Sequence, residues 1–178
     1  MYQEILKFWF EEVDESKWWV KDAAFDQLII DKYSEIHRSA TRCELYEWRR
    51  CPEGKLAEII VLDQFSRNMF RDSPLAFAND SLALALSQEA IFMGADESLD
   101  STRRSLLYLP FMHSESRKIH EVALELYKKD GNKVKIEFEL KHKSIIDRFG
   151  RYPHRNIVLG RESTEEEIVF LIQPGAGF

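Results

Sequence analysis

Residues 55–71 read KLAEIIVLDQFSRNMFR, and the apolar residues of this stretch recur around nearly the whole circumference of a helix. They are Leu56, Ile59, Ile60, Val61, Leu62, Phe65, Met69 and Phe70. A helix that is apolar on all sides must be covered on all sides by other parts of the chain. The breaking residues Pro52 and Gly54 come directly before it. The stretch therefore predicts a buried helix from about Lys55 to Phe70.

Helical spacing of apolar residues continues on both sides of this helix. Ser73-Pro74 is typical of a helix start, and Gly94 is a natural helix end. Pro110 predicts a kink or a boundary, and Ser163 with Glu166 forms a capping-box pattern. With a turn at 130–132 and a tail (PGAGF) at 174–178, the predicted helices are 5–13, 25–40, 55–70, 74–94, 101–129, 134–149 and 163–171.

The segment after the turn carries two conflicting patterns. Val134, Ile136, Phe138 and Leu140 alternate with charged residues, which alone is typical of a half-buried strand. Opposing this, Glu137 and Glu139 each precede a lysine by four residues, an order that stabilises helices, and the apolar residues up to Phe149 return to helical spacing. A single strand without a partner is marginal, so a helix is predicted here.

Length and composition fit one packed domain over residues 1–178. Hydrophobic residues make up 44% and charged residues 31% of the chain, which excludes disordered and fibrous classes. The 7 Gly and 5 Pro are too few for a protein of many strands, which needs turn residues at short intervals. The predicted fold class is all-α, a single-domain helical bundle or array of about seven helices.

Charge and cysteine usage exclude several functions. The net charge of -6 disfavours nucleic acid and anionic membranes as partners, although residues 141–161 hold six Lys or Arg against Asp147 alone. Cys43 and Cys51 are too few for a disulfide framework and form no zinc motif. The N-terminal residues lack the pattern of a signal peptide, and no apolar run is long enough to span a membrane. The expected location of the protein is the cytoplasm. No cofactor is predicted.

A polar stripe runs along the second half of the 55–70 helix. Its members fall within an arc of roughly 140° at 100° per residue, and they are Asp63, Gln64, Arg67, Asn68 and Arg71. Because unpaired buried ions cost several kcal/mol, such a stripe needs partners. It could line a cleft in which Asp63 holds Arg67 and the arginines meet an anion. Alternatively, it could be an exposed stripe with a weak surface ion pair.

Two further blocks carry candidate functional residues. In LPFMHSE at 109–115, His113 and Glu115 could be an acid/base group and its neighbour, with Ser114 between them. The alternative is a capped helix start whose histidine fills the core. His120 is about 10.5 Å of helix rise beyond His113, too far to share a metal, so no metal is predicted.

The other block, RFGRYPHRN at 148–156, concentrates cations around Gly150 and Pro153. Its candidate binding residues are Arg148, Arg151, His154, Arg155 and Asn156. These cations need acidic partners or an anion. They could form a structural latch with carboxylates such as Asp63 and Glu115, or hold a ligand that carries phosphate or carboxylate.

Six ordered blocks resemble the bacterial domain-of-unknown-function family 924. They are ILKFWF at 5–10, KDAAFD at 21–26, LDQFSRNMFR at 62–71, YLPFMHSE at 108–115, RFGRYPHRN at 148–156 and LGREST at 159–164. The resemblance implies an all-helical fold similar to tetratricopeptide-repeat arrangements, and no established activity. The family's polar blocks coincide with the three blocks above. Ser66 stands where the family typically has proline, and Ile119-His120 where Asp-Gln is common.

The leading functional prediction is a helical binding module. The three blocks are expected to converge on one Arg/His-lined pocket for a small anionic ligand or an acidic peptide. A first alternative is a hydrolase or transferase with His113 or His154 as general base, positioned by Glu115 or Asp63. A second is a protein-interaction scaffold in which the polar blocks pair internally.

Overall fold

A computed structural model describes residues 1–175, and residues 176–178 of the predicted tail lie outside the described residues. Within that range the chain is all-helical and contains no strand. The α-helices are α1 (Tyr2–Lys7), α2 (Ala23–Thr41), α3 (Pro52–Ile60), α4 (Ser66–Met69), α5 (Asp80–Phe92), α6 (Ser101–Met112), α7 (Arg117–Asp130), α8 (Lys133–Phe149) and α9 (Glu165–Leu171). Within residues 1–175, no helix combines the length and the apolar character needed to cross a membrane.

Shorter helical segments connect these helices. Two are π-helical, Phe8–Glu12 and Val61–Phe65, and five are 3-10 turns: Glu15–Trp19, Tyr46–Arg50, Pro74–Phe77, Ala95–Ser98 and Pro153–Arg155. The π segment Val61–Phe65 joins α3 to α4, so the three together form the predicted central helix. The first part of this helix packs on α1, α5 and α6, and the later part packs on α2.

The central helix is buried as its sequence predicts. Leu56, Ile59, Ile60, Leu62 and Phe65 are at most 1% exposed. It begins at Pro52 instead of Lys55, because Cys51 adopts an extended N-cap conformation and proline needs no N–H partner in the first turn. Gly54 is thus inside the helix, where its missing side chain lets the backbone of Trp48 come close.

Three predicted helix boundaries are wrong. Ser73 caps the 3-10 turn Pro74–Phe77, and α5 starts separately at Asp80. The predicted 101–129 helix is two helices; Pro110 lies inside α6, and the break comes after Met112. The capping box of α9 is formed by Thr164 and Glu167, because the Ser163 hydroxyl instead accepts a hydrogen bond from Asn156.

The helix prediction for 134–149 is confirmed, but of its four alternating apolar residues only Ile136 packs against the core. Val134, Phe138 and Leu140 are roughly half exposed, whereas Glu139 is fully buried. Glu139 faces His120 of α7 across the α7–α8 packing, and Nδ1 of His120 lies 2.7 Å from its carboxylate. A buried polar pair thus takes the place that an apolar residue occupies in an ordinary helix pair.

Candidate functional site

A cleft of about 300 Å³ lies between the C-terminal end of α6, the N-terminal end of α5 and the loop after α8. One side of its lining is apolar, from Pro74, Phe77, Ala78, Leu84, Pro110 and Leu159. The polar lining consists of Asp80, Ser81, His113, Ser114, Glu115 and Arg155. Two of the three predicted blocks, those at 109–115 and 148–156, therefore meet at this cleft.

His113 follows the last turn of α6 and is held by the central helix. Its Nδ1 lies 2.8 Å from Oδ1 of Asp63, a residue of the π segment that is 1% exposed. Gln64 donates to the other oxygen of Asp63 at 2.6 Å, and Arg67 lies 3.1 Å from Oδ1. Asp63 is thus the residue that joins the polar stripe to the cleft.

The charge of Asp63 determines which nitrogen of His113 carries the hydrogen. Burial alone raises the pKa of Asp63, but Arg67 and His113 outweigh burial and hold this pKa below its ordinary value. An ionised carboxylate only accepts hydrogen bonds, so Nδ1 of His113 is the donor. Burial and the charge of Arg67 lower the pKa of His113, which leaves the ring neutral at pH 7 and Nε2 an acceptor.

Nε2 of His113 is the polar atom of the ring that remains open. No residue of the described range 1–175 hydrogen-bonds to it, and it is not a fully enclosed atom. The His113 side chain is 15% exposed and lines the cleft. A ligand with an O–H or N–H group can therefore donate to Nε2.

Arg67 and Arg155 share one carboxylate, that of Asp80 at the start of α5. Arg67 lies 3.0 Å from Oδ1 of Asp80, and Arg155 donates to Oδ2 at 3.2 Å. Burial lowers the pKa of Arg67, but Asp63 and Asp80 together outweigh burial and raise it. The charge of Arg67 is therefore balanced inside the protein.

Arg155 is in a different electrostatic position. Its guanidinium carbon lies 4.5 Å from the ring centroid of Phe77 and 4.6 Å from that of Tyr152, and its side chain is 7% exposed. Burial and the charge of Arg67 lower its pKa, and Asp80 and Glu115 oppose them only in part. The shifted pKa values of four other arginines are raised by their carboxylate partners: Arg49, Arg67, Arg71 and Arg151.

Arg155 also has N–H groups that make no hydrogen bond to any described residue. A guanidinium has five N–H groups. NH1 donates to Asp80, and NH2 donates to the carbonyl oxygen of His113 at 3.0 Å. Nε is buried and has no hydrogen-bond partner in the described part of the chain. Arg155, the arginine of the cleft lining, thus has N–H groups left with which to bind a ligand.

The structure separates Asn68 and Arg71 from the cleft. Arg71 binds both oxygens of Asp26 in α2, and Asn68 donates to the same carboxylate at 2.8 Å. Through Asp26, these two residues contact α2 and not the cleft. None of the five stripe residues is in the cleft lining, and Asp63 and Arg67 contact the cleft only through His113 and Asp80, so the expectation that the stripe lines a cleft is wrong.

Most of the block at 148–156 forms a latch with acids later in the chain. Arg151 pairs with both oxygens of Glu167, to which Asn156 also donates at 3.3 Å. Arg148 pairs with Glu166 at the surface. These residues bind Glu166 and Glu167 of α9 and do not line the cleft. The predicted convergence of all three blocks therefore fails for them.

Glu115 lines the cleft but is already bound. Arg161 contacts both of its oxygens, at 2.6 and 2.9 Å, and the Tyr152 backbone N–H donates to it at 2.7 Å. Burial raises the pKa of Glu115, but these contacts outweigh burial and lower it. Glu115 is 37 residues from Tyr152 in the chain and fastens the loop after α8 to the end of α6.

His154, the other predicted base, lies outside the cleft lining and against the ring of Tyr152, with centroids 5.5 Å apart. Burial and Arg155 lower its pKa to about 4. Three residues that shape the electrostatics of the cleft were not predicted from the sequence: Asp80, Phe77 and Arg161. Their positions depend on three separate segments, and none of them belongs to a dense polar block.

The buried histidines predict that the protein loses stability in mildly acidic solution. Burial lowers the pKa of His142 to about 3 and that of His154 to about 4, against 6.5 in an unfolded chain. Below pH 6.5 the unfolded chain therefore binds protons that the folded chain does not. The stability that these two neutral histidines give the folded protein is complete above pH 6.5. It decreases as the pH falls toward the folded-state pKa values of about 4 for His154 and about 3 for His142.

We expect the free energy of unfolding to fall by a few kcal/mol over this range, since one pKa unit corresponds to about 1.4 kcal/mol. Urea unfolding at a series of pH values measures it. Asp63 and Glu115, whose pKa values are lowered, lose their contribution only in the lower range where carboxyl groups titrate. The His142→Gln variant should show a smaller decrease. Stability that stays constant over the histidine range would contradict this prediction.

Comparisons with known proteins agree with the fold. The chain is similar to a solved structure of a protein of unknown function from Agrobacterium tumefaciens, with a TM-score of 0.91 and 37% sequence identity over 96% of each chain. A search of curated proteins finds no match. The family model described as a bacterial protein of unknown function (DUF924) matches residues 5–175. With nearly the whole chain matched, the protein belongs to this family, DUF924.

Proposed function

We propose that the cleft binds a small ligand with a single negative charge, and that Arg155 is the cation that meets this charge. The observation that carries the proposal is the state of Arg155. It lies in the wall of the cleft, it shares its one carboxylate partner, Asp80, with Arg67, and each of its terminal nitrogens keeps an N–H group that no described residue uses. A bound anion removes this imbalance, because a charge-assisted hydrogen bond to a guanidinium is favourable in a site of low dielectric constant.

The other charges of the cleft favour one negative charge over two. Asp80 and Glu115 are both in the lining and repel an anion. Arg161 compensates Glu115, and Arg67 compensates part of Asp80, so no second cation is left over. A carboxylate therefore fits better than a phosphate monoester, which carries close to two charges at neutral pH. The apolar lining fits an apolar body on the ligand.

The size of the cleft agrees with a small molecule. A volume of about 300 Å³ is at the lower end of the range for ligand sites. An acidic peptide carries several negative charges, but among the described residues Arg155 is the one cation that the cleft offers to a ligand. At most the terminal carboxylate of such a peptide would bind there. The scaffold role stays a second candidate, because the Asp26–Arg71 and Glu167–Arg151 clusters pair internally.

A thermal-shift screen tests the proposal. The probes are small monocarboxylates with aliphatic or aromatic bodies, and phosphate monoesters of matched size. We expect at least one carboxylate to raise the unfolding midpoint by about 5–10 °C at high excess, since saturation at about 100 times Kd adds about 2.7 kcal/mol. Phosphate monoesters should have a smaller effect.

Two matched variants locate the bound carboxylate. Arg155→Lys keeps a positive charge but removes the planar donors, and it should abolish most of the shift. Arg71→Lys changes an arginine bound to Asp26, away from the cleft, and should leave the shift unchanged. A panel without any stabilising carboxylate would refute the proposal, and so would a shift that Arg155→Lys retains.

A further inference from the structure

His113 differs from the other histidines in having one ring nitrogen fixed and the other open to a cleft. In His120 both nitrogens are used, by Glu139 and by the carbonyl oxygen of Ser114. Nε2 of His37 lies 2.8 Å from the hydroxyl of Ser66, inside the core. Among the described residues, His113 is the histidine that lines the cleft.

The arrangement at His113 is that of an oriented base. Asp63 accepts from Nδ1 at 2.8 Å and is itself fixed by Gln64 and Arg67, so the ring has one tautomer and one orientation. An aspartate that holds the far nitrogen of a histidine also stabilises the imidazolium that forms when the near nitrogen takes a proton. Because the pKa of His113 is below the ordinary value, the ring is already deprotonated at pH 7.

Arg155 would hold a ligand next to this base. Its NH2 donates to the backbone carbonyl of His113 at 3.0 Å, so the guanidinium lies beside the residue that carries the imidazole. Because Arg155 and His113 both line the cleft, a carboxylate bound to the guanidinium places the rest of the ligand in the same cleft as the imidazole. The hydroxyl groups of Ser81 and Ser114 are further donors in the lining.

We propose that His113 is a general base for the hydrolysis of small esters that carry one carboxylate. This inference rests on the proposed function, since Arg155 holds the carboxylate of the substrate. The nucleophile is water, because no described hydroxyl group hydrogen-bonds to Nε2 of His113 and a serine is thus not activated. Asp63 is a positioning residue, as it acts through His113.

The step balances without a cofactor. Nε2 takes a proton from water as the water oxygen forms a bond to the ester carbonyl carbon. The negative charge that develops on the carbonyl oxygen meets the O–H donors of the cleft. When the bond from the carbon to the leaving oxygen breaks, the proton moves from Nε2 to that oxygen. The products are a carboxylic acid and an alcohol.

The test uses the mono-4-nitrophenyl ester of adipic acid, which has a carboxylate, and 4-nitrophenyl acetate, which has none. Release of 4-nitrophenolate by the full chain is measured as kcat and KM. In His113→Asn, the amide nitrogen can keep the hydrogen bond to Asp63 while the base is removed. We expect this variant to lose about 100-fold or more in kcat, the usual contribution of a general base. The neutral ester should be a poorer substrate for the wild-type protein.

The pH profile separates a base from a structural residue. For the wild-type protein, kcat/KM should be constant at neutral pH and fall in acid with an apparent pKa below 6.5, the ordinary histidine value. Asp63→Asn should lower kcat more than it changes KM, and it should move that apparent pKa further down, since a neutral side chain no longer favours the imidazolium. Arg71→Lys is the control and should match the wild-type profile.

The outcomes distinguish the two proposals. If carboxylates stabilise the protein through Arg155 but the ester is not hydrolysed, or His113→Asn hydrolyses it at the wild-type rate, the general-base inference is wrong and the binding proposal stands. If no carboxylate stabilises the protein and the adipate ester is not hydrolysed, both are wrong. Hydrolysis that depends on His113 and is weakened by Arg155→Lys supports both.

Discussion

Replacing Asp63 with alanine lowers the free energy of unfolding by about 3–5 kcal/mol, the usual cost of breaking a buried ion pair by removing one partner. Asp63 is 1% exposed and holds three side chains, those of Gln64, Arg67 and His113. In the variant, Arg67 keeps Asp80 and the backbone carbonyl of residue 63 but loses its second carboxylate. Urea unfolding at neutral pH measures the change.

A surface ion pair of the same chemistry is the control for Asp63. Lys143 contacts Asp147 one turn away on α8, and the Asp147 side chain is 47% exposed. Exposed pairs of this kind contribute about 0.3–0.5 kcal/mol, so Asp147→Ala should be close to the wild-type protein. If Asp63→Ala costs no more than Asp147→Ala, the contacts of Asp63 with Gln64, Arg67 and His113 do not stabilise the fold as described.

Replacing Gly54 with alanine prevents folding or destabilises the protein by about 3 kcal/mol or more, at the upper limit of ordinary overpacking effects. A Cβ atom at residue 54 would overlap the carbonyl oxygen of Trp48 and lie 2.8 Å from its carbonyl carbon. Both contacts are with backbone, so no side chain can turn away to relieve them. The first turn of α3 and the turn Tyr46–Arg50 would have to separate.

Gly94 provides a comparison in which only the backbone conformation matters. Its φ of 72° is left-handed, and a Cβ atom there would meet nothing within 4 Å. Gly94→Ala should cost about 1–2 kcal/mol, the strain of that conformation for a residue with a side chain. Thermal and urea unfolding of the two variants compare the costs. An equal effect in both would contradict the close approach at Gly54.

The fold could be predicted from the sequence where most residues of a segment are apolar. Residues 56–65 show their burial directly, because apolar side chains at nearly every position allow no exposed face. The helix at Lys133–Phe149 could be predicted only because its Glu–Lys pairs four residues apart outweigh the alternation of apolar and charged residues. Its buried face could not be predicted, since Glu139 is buried through His120, a partner on another helix. Helix ends were less accessible, because the cap is decided by neighbours such as Asn156, which binds Ser163.

The candidate site was accessible in part, for a related reason. A helical wheel predicts which residues share an arc, and Asp63 and Arg67 are indeed paired one turn apart. It cannot show that an arc of roughly 140° faces two different neighbours. Arg71 meets Asp26 on one side, and Arg67 meets Asp80 on the other. Both acids are single residues in ordinary helices, so the sequence does not mark them as partners.

The geometry also separates structural arginines from the one assigned to a ligand. Arg151 and Arg161 each contact both oxygens of a carboxylate and fasten the loop after α8. Arg155 shares Asp80 with Arg67 and stacks between two rings. In the sequence, Arg151 and Arg155 lie in the same short block and are indistinguishable in kind. Their roles follow from how each one meets its acid: Arg151 binds both oxygens of Glu167, whereas Arg155 contacts one oxygen of Asp80, which Arg67 also contacts.

The most direct measurement is a crystal structure of the protein with the carboxylate that gives the largest thermal shift. We expect electron density for that molecule in the cleft between Phe77 and His113, with its carboxylate within hydrogen-bond distance of the Arg155 guanidinium. Density for the carboxylate at another surface, with the cleft unchanged and Arg155 making only its contacts to Asp80 and His113, would contradict this expectation.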